Sequence, residues 1–180
     1  MQKENRPILK SELRKKLLAL RSAIPKERLN EARNAIFEQV SCKGAVCSFY
    51  SIGSEIDLSL LNRRLAQSGR LIANRLEGEM LVPYRVLSEE HLVVSPLGFP
   101  EPDPLRCQKA SLSEIALILV PGLGFDKEKY RIGYGKGYYD RFLATVKGTP
   151  TAGVGFREQL LDHLIPRDPW DIPVRELLLV

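Results

Sequence analysis

Ile115–Arg141 reads IALILVPGLGFDKEKYRIGYGKGYYDR, an unbroken apolar run followed by a loop rich in glycine and tyrosine. Ile115–Val120 is apolar at every position and stops at Pro-Gly, which fits a strand covered on both faces, as in a parallel sheet. A helix is expected at about Tyr138–Val146. A strand, a long loop and a helix in that order put the loop at the carboxyl edge of an α/β sheet, where ligands bind.

The alternation continues in both directions. Downstream, Thr151–Phe156 reads as a strand, Glu158–Leu164 as a short helix and Val174–Val180 as a last strand. Upstream, Leu9, Leu13, Leu17 and Leu20 recur at helical steps, and Pro25 opens a second helix whose buried stripe is Leu29, Ala32, Ile36 and Val40. Ala45–Tyr50 reads as a buried strand, and Asp57 as the cap of a helix carrying Leu60, Leu61 and Leu65 and closed by Gly69. Arg70–Leu76 and Met80–Val86 are predicted strands around Gly78, with a further strand at His91–Ser95 and a loop over Pro96–Pro104. The predicted fold class is therefore α/β. We expect a single three-layer α/β/α domain over residues 1–180, with a mostly parallel central sheet behind two N-terminal helices.

Composition agrees with one soluble globular unit. The chain has 180 residues, 44% hydrophobic and 27% charged, and no apolar run approaches the roughly 18 residues of a spanning helix. The charged N-terminus lacks the apolar stretch of a secretory signal. Three cysteines without a Cys-x-x-Cys argue for free thiols in a reducing cytoplasm. The net charge of +5 is concentrated in residues 1–43, which hold eleven Lys/Arg against five Asp/Glu. Such a segment attracts phosphorylated ligands or nucleic acid, or simply solvates a helix surface. It lacks the aromatic–basic interleaving of single-strand binders, so no nucleic-acid or membrane partner is expected, and the expected state is a monomer.

The loop carries the chemistry. Gly133, Gly135 and Gly137 alternate with Tyr134 and Lys136 immediately before a helix, so backbone N–H groups and a helix N-terminus can face phosphate oxygens, with Lys136 adding charge. Asp140, one turn on, offers oxygen to a hard cation such as magnesium. The spacing fits neither G-x-x-x-x-G-K-[ST] nor G-x-G-x-x-G. A tight glycine turn with its tyrosines packed on the sheet remains open beside phosphate binding.

RIGYGKGYYDR after LVPGLGFD resembles the signature of the 5-formyltetrahydrofolate cyclo-ligase family. The likeness extends to Lys10 and Arg14 in an opening Lys-x-x-x-Arg, Ser51–Asp57 as S-x-x-x-E-I-D, Gly98–Pro102 as G-F-x-E-P, and a closing Pro166–Val174. The resemblance implies an enzyme that uses ATP and magnesium to convert 5-formyltetrahydrofolate into 5,10-methenyltetrahydrofolate through a phosphorylated formyl group. It implies that Lys10 and Arg14 contact ATP phosphates and that Arg131, Ile132, Gly133, Tyr134, Gly135, Lys136, Gly137, Tyr138 and Tyr139 form the nucleotide loop. Tyr134–Tyr138 also line the folate pocket in this reading, together with Tyr50 and Glu55. Lys136 and Arg14 act on the moving phosphoryl group, and Asp140 and Asp171 hold magnesium. The chain departs from the pattern at Leu58 (often Thr), Asn74 (often Pro), Ala116 (often Asp), Lys129 (usually Gly) and Trp170 (often His). Glu101 is read as structural. An ATP-dependent enzyme of the same fold on another pterin, or a folate-binding protein without catalysis, are the rival readings.

Overall fold

A computed structural model describes residues 9–96 and 98–180; residues 1–8, the start of the basic segment, and Leu97, in the expected loop, lie outside the described residues. Helices α1 (Lys10–Ser22) and α2 (Lys26–Gln39) come first, then strand β1 (Ala45–Ser48), helix α3 (Ser59–Gln67) and the hairpin of β2 (Leu71–Glu77) and β3 (Met80–Arg85). Short strands β4 (Leu92–Val94), β5 (Pro100–Pro102) and β6 (Gln108–Lys109) precede β7 (Ile115–Pro121), the apolar run. A small hairpin of β8 (Gly124–Phe125) and β9 (Arg131–Ile132) follows, then α4 (Tyr138–Thr145), β10 (Thr151–Gly155) and β11 (Glu176–Leu179).

The main sheet has the order β11-β10-β7-β1-β2-β3-β6. The run from β11 to β2 is parallel, and only β3 opposes its neighbours. Strand β7 is an interior strand, between β1 and β10, in keeping with its unbroken apolar run. The chain leaves β1 toward β2 on one side and later fills β7 and β10 on the other, so the strand order reverses between β1 and β7. A crevice opens at the carboxyl ends of strands at such a reversal.

Helices α2 and α3 cover one face, with Ala32, Ile36, Leu61 and Leu65 packed with Val46, Leu71 and Ala73. Helix α4 covers the other, with Phe142 and Leu143 against Ile72, Ile118 and Val120. Helix α1 joins neither layer. Its Leu13 and Leu17 pack on Leu123, Ile132 and Ile165, which seats it against the β8–β9 hairpin at the carboxyl edge of the sheet. Its buried row runs 13–17–21, so Leu9 is exposed, Leu20 is half-buried and the third buried side chain is Arg21.

Three expectations shift. Leu160, Leu161 and Leu164 mimic a helical stripe, yet only a single 3-10 turn forms, at Arg157–Gln159. The backbone beyond it is claimed by tertiary partners, Leu161 N–H donating to Phe125 O at 2.8 Å and Ile165 N–H to the Asp126 carboxylate at 3.0 Å. The expected loop at Pro96–Pro104 contains β5, paired antiparallel with β4 in a separate two-stranded sheet. Asp57 does not cap α3 directly; its carboxylate accepts from the backbone N–H and hydroxyl of Ser59, at 2.8 and 2.9 Å, one residue inside the Leu58 N-cap. No helix among the described residues is long and apolar enough to cross a membrane.

Candidate active site

A cleft of about 580 Å³ opens at the carboxyl ends of β1 and β7, and every site residue expected from the sequence lines it. The expected site residues come from four separate pieces of chain. They are α1, the segment after β1, the β9–α4 loop and the closing segment around Asp171.

The loop takes its shape from its glycines and from a buried carboxylate. Asp126 is fully buried and accepts from the N–H groups of Glu128, Tyr130 and Ile165, which closes the β8–β9 turn. Within that turn Lys129 has φ 67°, a left-handed conformation that favours glycine. Beyond β9, Gly135 and Gly137 also have positive φ, 97° and 68°, and Gly137 is the N-cap of α4. A Cβ on Gly135 would meet the Arg14 guanidinium at 3.1 Å, so the arginine lies flat on the loop backbone. Arg14 Nε also donates to Gly133 O at 2.9 Å, which ties α1 to the loop. Lys136 is exposed and has no ion-pair partner among the described residues.

The acidic residues are partly engaged. Lys10 Nζ lies 2.5 Å from Asp171 and 2.6 Å from Asp168. Burial alone lowers the Lys10 pKa, but hydrogen bonds to the two carboxylates and their charges together raise it above its ordinary value. Asp140 Oδ1 accepts from Arg131 Nη2 at 2.9 Å and from Ile172 N–H at 3.1 Å. The Arg131 side chain is buried and also donates to Ile172 O at 2.7 Å, so its guanidinium bridges the loop and the closing segment. Burial lowers its pKa, against the pull of Asp140. Asp140 and Asp171 each keep one carboxylate oxygen free of hydrogen bonds from the described residues. No group of three metal-ligating side chains clusters among the described residues. Two carboxylate oxygens without a full cage suit magnesium, which keeps waters and draws remaining ligands from phosphates.

On the other wall, Glu55 is held by the turn after β1. Its carboxylate accepts from Ile52 N–H at 2.9 Å, and the Ser51 hydroxyl donates to Ile56 O. Burial raises the Glu55 pKa; the Ile52 N–H, Arg21 and Tyr134 pull it back down. Arg21, 1% exposed, was not singled out from the sequence, and it organises this wall. It donates to Ser54 Oγ at 3.0 Å, Gly122 O at 3.2 Å and the Tyr134 hydroxyl at 2.6 Å, and stands 3.8 Å from Glu55. The available signal was its position, a cation on the 13–17–21 row of an otherwise apolar stripe. Glu101 reaches the cleft as well, though it is buried and accepts from Leu76 N–H at 3.4 Å, as a structural residue does. Trp170 lines the cleft; Ala116 does not, and lies against Gly44 instead.

The arrangement can hold a polyanion between α1 and the glycine loop, and a hydrogen-bonding ring system beside Glu55. Residues 8–180 match the model of the 5-formyltetrahydrofolate cyclo-ligase family. The 5-formyltetrahydrofolate cyclo-ligase of Mycolicibacterium smegmatis is 29% identical over 182 residues, covering 96% of this chain and 94% of that protein. The mouse protein of the same name is 28% identical over 189 residues, covering 94% and 91%. The solution structure of 5,10-methenyltetrahydrofolate synthetase from Aquifex aeolicus superposes with a TM-score of 0.83 at 36% identity, covering 94% of this chain and 89% of that one. With residues 8–180 matched and the fold shared, this chain belongs to the 5-formyltetrahydrofolate cyclo-ligase family and is a ligase.

Proposed function

We propose that this chain, acting as one catalytic domain, converts 5-formyltetrahydrofolate to 5,10-methenyltetrahydrofolate with ATP and magnesium, releasing ADP and phosphate. The observation that carries the reading is the meeting of Lys10, Arg14, the glycine loop and Glu55 in one cleft. A formamide carbonyl is a poor electrophile and its oxygen a poor leaving group. In the proposed reaction the formyl oxygen takes the γ-phosphoryl group, folate nitrogen 10 attacks the activated carbon, and the oxygen departs with the phosphate. Such a reaction asks the protein for positioning and charge neutralisation, with little covalent chemistry of its own.

The residues divide the work accordingly. Arg14, flat on Gly135, and Lys136, free at the loop tip, neutralise the moving phosphoryl group. The Gly133–Tyr139 backbone and the start of α4 cradle the nucleotide phosphates, and Arg131 keeps that loop in register with Asp140. Lys10 exchanges its pairing with Asp171 for a phosphate when nucleotide enters. Asp140 and Asp171 would hold magnesium, which would supply positive charge to offset that of the phosphates. Glu55 accepts N–H bonds from the pterin, with Tyr50 and Tyr134 beside it. The three free cysteines, Cys42, Cys47 and Cys107, support a cytoplasmic location.

A spectrophotometric assay with 5-formyltetrahydrofolate and Mg-ATP tests this reading. The expected result is the near-ultraviolet absorbance of the methenyl product, dependent on both ATP and magnesium. Absence of product while 5-formyltetrahydrofolate still binds would overturn it in favour of a different substrate or a binding role.

A further inference from the structure

Asn74 sits in the middle of β2 and lines the cleft. Strand alternation puts it on the α4 face with Ile72, beyond the apolar cluster that contains Cys47 and Tyr139. Both polar atoms of its carboxamide, Nδ2 and Oδ1, are buried and without a hydrogen-bond partner. The Cys47 thiol and the Tyr139 hydroxyl are its polar neighbours and each interacts weakly with the amide, but neither reaches it at the distance and angle of a full hydrogen bond. A buried amide left unpaired carries its full desolvation penalty, so each such group in a folded protein calls for a partner. A second orphan lies in the same cleft, the buried hydroxyl of Tyr50 at the end of β1.

We infer that the Asn74 carboxamide is a specificity-determining contact for the substrate's ring system, donating through Nδ2 and accepting through Oδ1. This rests on the folate reading above. The ligand chemistry follows from the atoms left open. A single anion or a purely apolar ring satisfies at most one half of a carboxamide, whereas a pterin, with ring N–H groups and a ring carbonyl, offers both donor and acceptor.

The test is Asn74→Leu, which keeps the side-chain volume and removes both polar atoms. Trp170, the sole tryptophan, lines the cleft, so its emission reports binding of 5-formyltetrahydrofolate independently of turnover. The expected result is a dissociation constant and KM for 5-formyltetrahydrofolate raised about tenfold, the scale of one to two lost hydrogen bonds. The KM for ATP stays within about twofold, and the melting midpoint is unchanged or higher, because an unpaired amide has been removed from the ligand-free protein. Unchanged folate affinity in Asn74→Leu would overturn the inference. So would a lowered melting midpoint with an unaltered KM, which assigns the amide to the fold or to an ordered water. If the unaltered protein neither binds nor converts 5-formyltetrahydrofolate, the folate reading itself falls, and this inference with it.

Discussion

Two cations in the site face opposite situations, and their substitutions should separate. Lys136 is exposed and has no ion-pair partner among the described residues, so its charge is available for a group that arrives. Lys136→Ala should lower kcat about 10²–10³-fold, the scale of losing one preorganised electrostatic contact to a developing charge. The KM for folate should stay within about threefold, because in the proposed reaction that charge acts on the phosphoryl group. Steady-state kinetics decide, and an unchanged kcat removes Lys136 from the transfer step. Arg21 is the reverse case, fully enclosed and already bonded to Ser54, Gly122 and Tyr134. Arg21→Met leaves Glu55 buried without its cation and should cost about 3–5 kcal/mol of stability, measured by denaturant unfolding. A variant as stable as the parent would make that network ornamental. Lys136 was legible in the sequence because glycine-flanked lysines before a helix have few structural uses. Arg21 and Asn74 were not, since a single polar residue inside an apolar pattern shows its partners, or their absence, only once tertiary contacts exist.

Among the elements, the glycine loop separates backbone need from mere room. Gly135 has φ 97° and touches the Arg14 guanidinium, while Gly133 has ordinary φ and open space where a Cβ would stand. Gly135→Ala should therefore cost about 1–2 kcal/mol, lowering Tm by roughly 2–8 °C for a chain of this size. Gly133→Ala should melt with the parent. Equal midpoints for the two variants would refute the assignment of strain to Gly135. The same loop was the most readable part of the chain, as was β7, because continuous apolarity and repeated glycine each leave little choice of structure. The segment after Arg157 misled because Leu160, Leu161 and Leu164 carry a helical spacing of which only Leu161 finds a packing partner; Leu160 and Leu164 remain 49% and 44% exposed. Strand β5 was hidden for another reason. Its Pro-Glu-Pro has one backbone N–H to give, so only the presence of β4 beside it makes a strand of it.

At the level of the whole molecule, burial of neutral acids sets the response to alkali. Burial pushes the Cys47 thiol from 9.0 up to about 12 and raises the hydroxyls of Tyr50 and Tyr139 above their ordinary value. The unfolded chain gives up these protons between about pH 9 and 10, while the folded chain keeps them. The folded state therefore binds more protons, and stability falls as pH rises through that window. The raised Lys10 pKa acts in the same direction at higher pH. The melting midpoint should decline from about pH 9 upward, and Cys47→Val should make the decline shallower by up to about 1.4 kcal/mol per pH unit. A flat midpoint through pH 10 would refute this account. Finally, the contact of Lys10 with Asp168 and Asp171 spans 158 and 161 residues of sequence. During synthesis the chain emerges amino end first, at about 5–20 residues per second. The wall of the cleft that joins α1 to the closing segment thus stays open on the ribosome until the segment carrying Asp171 has left the exit tunnel, so the cleft is completed only late in synthesis.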